Sequence, residues 1–94
     1  MKTVEVEVRN QSGLHMRPAA DFVRVAARYA STISVQNLTP VRPMQDAKSL
    51  GGVLSCGVEG GDRVRLTAAG SDEDAAIAEL TELICREPGP RQMG

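Results

Sequence analysis

Gly13-Leu14-His15-Met16-Arg17-Pro18-Ala19-Ala20 is where the chain changes period, and the fold is decided there. Upstream, Val4, Val6 and Val8 alternate with Glu5, Glu7 and Arg9, the two-residue period of a strand with one dry and one wet face. Asn10-Gln11-Ser12-Gly13 interrupts that alternation with turn formers. Downstream, Ala19, Ala20, Val23, Ala26, Ala27 and Ala30 recur at three- and four-residue steps with Phe22 alongside, the spacing of a buried helical stripe. Arg17, Asp21, Arg24 and Arg28 fall on another face of the same helix. Pro18 is compatible with a helix that starts near His15, because a residue of the first turn has no intrahelical N–H bond to lose. The first unit is therefore strand, loop and helix, with the single histidine of the chain at the joint.

Working outward, Ser31-Thr32-Ile33-Ser34-Val35-Gln36 reads as a second strand with Ile33 and Val35 inward. A third strand over Thr39–Met44 is expected at a sheet edge, short or irregular, because Pro40 and Pro43 remove two ladder donors. Lys48–Leu54 predicts a short helix capped by Ser49 and weakened by Gly51 and Gly52, each costing about 1 kcal/mol relative to alanine. Glu59-Gly60-Gly61-Asp62 is a turn, and Arg63–Ala68 is a fourth strand burying Val64, Leu66 and Ala68. Ser71-Asp72-Glu73-Asp74 opens the last helix with a serine cap and acids at the positive end of the helix dipole. Ala76, Ile77, Leu80, Leu83 and Ile84 form its dry stripe.

The order β-α-β-β-α-β-α implies the α+β class: an open-faced two-layer β-sandwich, a four-stranded antiparallel sheet with three helices on one face. Residues 1–87 make one domain, and 88–94 are expected to form a flexible C-terminal tail with too little apolar content to pack.

Composition narrows the function. One Phe, one Tyr and no Trp leave an aliphatic core and no aromatic platform for stacking bases. Eleven basic and twelve acidic side chains give a formal charge of -1, too balanced for polyanion binding by bulk charge, so no nucleic-acid partner is expected. Cys56 and Cys85 lack the spacing of a metal site or a disulfide scaffold and read as reduced thiols, with no metal and no cofactor implied. No apolar run has the length of a membrane span, and the start alternates where a signal peptide would be continuously apolar. A cytoplasmic location without membrane insertion is expected.

The joint itself suggests a chemistry. A histidine at a helix mouth meets first-turn N–H groups whose partial positive charge favours neutral, nucleophilic imidazole and welcomes a bound anion. A phosphoryl group on that ring would lie beside those amides and within reach of Arg17, whose planar fork suits phosphate oxygens. No second histidine and no obvious base equip the site for hydrolysis, so a phosphoryl carrier fits better than a stand-alone enzyme. Such a carrier needs an exposed apolar ring and orienting charge. Met16, Ala20, Leu50, Val53 and Leu54 are candidates for the ring, and Arg24 and Lys48, with Arg17 and Arg28, for the charge.

These residues, together with Ala47-Lys48-Ser49-Leu50, closely resemble the HPr family, the histidine-containing phosphocarriers of the bacterial phosphoenolpyruvate-dependent phosphotransferase system. The likeness covers about the first 87 residues. It implies that His15 takes a phosphoryl group on Nδ1 from phosphorylated enzyme I and passes it to enzyme IIA domains in sugar uptake, with Arg17 steadying the phosphohistidine. It also implies that Ser49 matches the serine modified in many members by an HPr kinase/phosphorylase. A carrier that meets two partners through one face is expected to be monomeric. The alternative is a regulatory phosphoprotein module, controlled at His15, Ser49 or both, that moves no sugar. Three features depart from the family pattern: Gly51-Gly52 where many relatives carry a large apolar residue, the longer segment with Pro40 and Pro43, and Cys56 with the Pro-Gly-Pro tail.

Overall fold

The computed structural model describes residues 1–9, 13–14 and 16–85; the expected tail and the boundary at residue 87 lie outside them. Its elements are β1 (Lys2–Glu7), α1 (Met16–Ala27), β2 (Thr32–Asn37), β3 (Gln45–Asp46), α2 (Leu50–Ser55), β4 (Arg63–Ala69) and α3 (Glu73–Cys85). The four strands form one antiparallel sheet in the order β1-β4-β2-β3, which is the expected architecture.

Register follows from the alternation in each strand. Val35 and Val4 both face Leu66 across the ladder, and Ile33 faces Ala68, so the inward residues of three strands form one apolar surface. Val64, Leu66 and Ala68 of the interior strand β4 are fully buried, whereas Val4 and Val6 of the edge strand β1 are only half-buried. The opposite face carries Thr3, Ser34, Gln36, Arg65 and Thr67; Arg65 pairs there with Glu5, its cross-strand neighbour, at 2.8 Å.

Helix α1 rotates its buried face away from the expected alanine stripe. Ala19, Phe22 and Ala26 are buried, Val23 and Tyr29 are half-buried, and Ala20, Ala27 and Ala30 lie outside the buried set. The cause is Phe22, whose full burial contributes about 1.5–3 kcal/mol and outweighs several methyl groups. The stripe of α3 matches expectation: Ala76, Ile77, Leu80 and Ile84 are buried and Leu83 packs against them.

Two local features differ from the sequence-based expectation. The edge strand is only two residues long and lies beyond both prolines, at Gln45–Asp46, while Leu38 and Val41 form an isolated bridge across the Thr39-Pro40 turn. Pro40 and Pro43 bring no N–H to a ladder, so regular pairing with β2 starts only after them, although the Arg42 N–H between them donates to the Asn37 carbonyl at 2.9 Å. The residue before α3 is Asp72 instead of Ser71, and its carboxylate accepts from the Ala30 and Ser31 amides at 2.8 and 3.0 Å and from the Ser31 hydroxyl. Those donors, the Ser31 hydroxyl foremost, hold the Asp72 carboxyl below the usual carboxylate range and lock the α1–β2 connection to the start of α3.

Helix α2 starts as the sequence predicts, with Ser49 Oγ accepting from the Gly52 N–H at 3.1 Å. Its two glycines are not equivalent. A Cβ on Gly51 would meet open space, whereas one on Gly52 would sit 3.3 Å from the Asp46 carbonyl oxygen. Gly51→Ala is therefore expected to stabilise the protein by about 0.5–1 kcal/mol, read as a higher midpoint in urea at unchanged slope. A lower midpoint would contradict the open environment at this position.

Candidate functional site

The approach to His15 is set by backbone geometry. Gly13 is buried with φ +62, and a Cβ placed on it would lie 2.1 Å from the Val58 carbonyl oxygen and 2.8 Å from the Glu59 Cα. Only glycine fits a left-handed conformation pressed against another backbone. Leu14 follows, 2% exposed, with its N–H donating to the same Val58 oxygen at 3.0 Å. The expected roles of His15 in the site and of Met16 in the apolar ring fall on residue 15 and on the side chain of residue 16, which, with residues 10–12, lie outside the described residues.

On the far side of His15 the chain enters α1 directly, at Met16. No acidic side chain occupies the first turn of α1, unlike α3, which opens on Glu73 and Asp74. Unpaired first-turn amides carry partial positive charge, and here no carboxylate of that turn offsets it. Pro18 brings no N–H, so Met16, Arg17 and Ala19 supply the first-turn donors. Arg17 is exposed and engages no acidic partner among the described residues.

The other expected cations are already engaged. Arg24 pairs with Asp21 one turn earlier, Arg28 donates to Glu79 of α3 at 2.6 Å, and Lys48 Nζ donates to the Tyr29 carbonyl at 2.7 Å. Lys48 thus ties the approach to α2 to the end of α1, while Leu14 ties the entry of α1 to the exit of α2. Bound at both ends, the two helices run in opposite senses and pack together.

The apolar ring requires one correction. Val53 is fully buried and belongs to the core, because its position on α2 faces the sheet. Leu50 and Leu54, four residues apart on one helix face, are 45% and 36% exposed, and Ala20 of α1 is exposed as well. Ser49 is exposed at the helix cap. Both cysteines are free thiols; Cys56 is buried, which pushes its thiol pKa up, and Cys85 is half-buried.

Sequence reasoning missed the support under Gly13 and Leu14. Val58 is buried in the segment after α2, and its neighbours are held by Asn37 and Asp62. The legible signal was Asn37 itself, a polar residue at the inward phase of β2 after Ile33 and Val35.

The fold and these surroundings define an open-faced α+β domain that presents a first helical turn without an acidic side chain, with an arginine that no described acid engages, directly after a histidine. Residues 2–86 match the family model described as the PTS HPr component phosphorylation site. The chain belongs to this family, the HPr phosphocarriers of the phosphotransferase system. It is similar to the HPr-like protein Crh of Bacillus subtilis, 37% identical over 88% of this chain and 94% of that protein. It is also similar to the multiphosphoryl transfer protein of Haemophilus influenzae, 39% identical over 87% of this chain but only 16% of that longer protein. The chain likewise spans 22% of the Escherichia coli O157:H7 multiphosphoryl transfer protein. Among solved structures, HPr-C-His from Thermoanaerobacter tengcongensis superposes with a TM-score of 0.82 at 44% identity, covering 89% of this chain and 91% of that one. The phosphocarrier protein HPr from Bacillus anthracis superposes at 0.83 with 30% identity, covering 88% and 95%.

Proposed function

We propose that the chain relays phosphoryl groups in sugar uptake: His15 Nδ1 accepts from phosphorylated enzyme I and donates to an enzyme IIA domain. The neutral imidazole attacks the phosphorus, a new N–P bond forms as the bond to the enzyme I donor breaks, and no water takes part. Arg17 then binds the phosphate oxygens and the first-turn amides of α1 receive the added charge. The observation that carries this reading is the first turn of α1: no acid within it, and Arg17 without an acidic partner among the described residues, in a chain matched by a phosphorylation-site family. Leu50, Leu54 and Ala20 supply the apolar contact for both partners, and the carrier acts as a monomer in the cytoplasm.

Incubation with enzyme I and labelled phosphoenolpyruvate is expected to place one acid-labile phosphate on each chain, and an enzyme IIA domain should then remove it. No acid-labile label would sink the proposal.

A regulatory reading draws support from the likeness to Crh along nearly its whole length and from the exposed hydroxyl of Ser49. A phosphate on Ser49 would sit at the start of α2, where the helix dipole tolerates it, and would repel acids on a docking partner. HPr kinase and ATP would then add an acid-stable phosphate at Ser49. A label on His15 that enzyme IIA domains cannot collect would favour regulation over transport.

A further inference from the structure

Asn37 occupies the inward phase of β2, opposite Val64, and is fully buried where Ile33 and Val35 before it are hydrocarbon. Its side-chain amide donates to the Cys56 carbonyl at 3.0 Å, to the Gly57 carbonyl at 3.4 Å and to Asp62 Oδ2 at 3.2 Å, and its Oδ1 accepts from the Thr39 N–H at 2.9 Å. The same Asp62 oxygen accepts from the Glu59 N–H at 2.9 Å. One Asn–Asp pair thereby holds both ends of the backbone segment Cys56–Glu59. In its middle sits Val58, buried, whose carbonyl oxygen receives the Leu14 N–H and fills the space a Cβ on Gly13 would need. An apolar residue at 37 would fill the core but leave two inward carbonyls without this donor, so the polar choice fixes a geometry that packing alone does not.

We propose that Asn37 is a positioning residue for phosphoryl transfer, acting with Asp62 through the Cys56–Glu59 backbone on the chain that enters His15. This role rests on the reading of His15 as the phosphoryl acceptor. In-line transfer between two proteins depends on the alignment of the attacking nitrogen, and a misplacement of about 1 Å can cost up to about a hundredfold in rate. In this proposal the Cys56–Glu59 backbone acts on alignment through Gly13 and Leu14, while Leu50 and Leu54 act on docking.

The test compares variants of the full chain in transfer from phosphorylated enzyme I. Asn37→Ala is expected to lower kcat about tenfold while KM for phosphorylated enzyme I changes less than about twofold, because the docking surface on α2 is untouched. Hydrogen-exchange protection of the Leu14 amide, bonded to Val58, should fall in parallel. Asp62→Ala should act in the same direction, and Asp62→Asn, which keeps an oxygen for the Glu59 N–H, should recover most of the loss. Leu80→Ala, a core truncation in α3, should lower stability yet leave kcat as in the native chain. If Asn37→Ala does not fold, the two Asp62 variants carry the comparison. Native kcat in a folded Asp62→Ala chain, or an equal loss in Leu80→Ala, overturns the role while leaving His15 as acceptor. A native chain that takes no label at His15 overturns the phosphoryl-transfer reading and this role with it.

Discussion

Gly13→Ala is expected to be among the most destabilising single substitutions in the chain. Two costs act together. A residue with a Cβ in the left-handed region loses about 1–2 kcal/mol against glycine. The added methyl would also lie 2.1 Å from the Val58 oxygen, so either the Gly13 turn or the Cys56–Glu59 segment must move. Such overpacking typically costs about 1–3 kcal/mol, and the shift would strain the Leu14–Val58 hydrogen bond, worth about 1 kcal/mol. The sum, about 3–6 kcal/mol, is a large part of the stability of a small domain. The melting temperature should fall by at least about 10 °C by circular dichroism at matched pH and salt. A change within the error of the native value would show that the turn relaxes freely and that the close approach to Val58 constrains nothing. Gly51→Ala is the internal control, since it adds the same methyl to open space.

The contrast between these two glycines shows what was legible in the sequence. Period-two alternation around Val4, Ile33 and Val64 and period-3.6 spacing in α3 placed those elements correctly, because their inward residues, Asn37 excepted, are hydrocarbon and local pattern decides them. In α1 the alanines gave an ambiguous stripe, and the volume of Phe22 fixed its rotation, which is a tertiary effect. The edge strand slipped past Pro43 because its two-residue ladder depends on the β2 edge and on no pattern of its own. The candidate site was legible as motif, in Gly13–Ala20 and Lys48–Leu50, yet its support was not. No spacing rule links residue 37 to residue 57, and only the folded sheet brings the Asn37 amide under the segment that holds Gly13.

Charge shows the same division. Arg17, Arg24, Arg28 and Lys48 look equivalent along the chain as cations for steering a partner, but folding engages three of them internally, on Asp21, Glu79 and the Tyr29 carbonyl. Such exposed contacts are individually weak, so their main effect is to leave Arg17 as the member of this set that none of them engages. Arg17 is also the member nearest His15 in sequence.

His15→Ala should abolish phosphoryl acceptance from enzyme I, a fall in rate of at least about a thousandfold, because the chain holds no other imidazole. Cys56 is buried and its thiol is pushed away from the thiolate form by that burial. The Tyr29 phenol donates to Glu79, and that bond, with burial and the carboxylate charge, raises its pKa and holds the neutral form. Ser49 lies at the α2 cap with its oxygen accepting from Gly52, and a phosphate there would be an ester. Esters of serine survive acid, whereas the phosphoramidate of an imidazole hydrolyses in acid and survives base. Acid lability therefore separates a phosphoramidate from a serine ester, and loss of the label in His15→Ala assigns it to the single histidine. The variant should be folded by circular dichroism and unlabelled by enzyme I with labelled phosphoenolpyruvate, and it should still take an acid-stable phosphate from a kinase that recognises Ser49. An acid-labile label persisting on the folded His15→Ala chain would remove His15 from the relay and, with it, the explanation for a first helical turn that carries no acid and an Arg17 that no described acid engages.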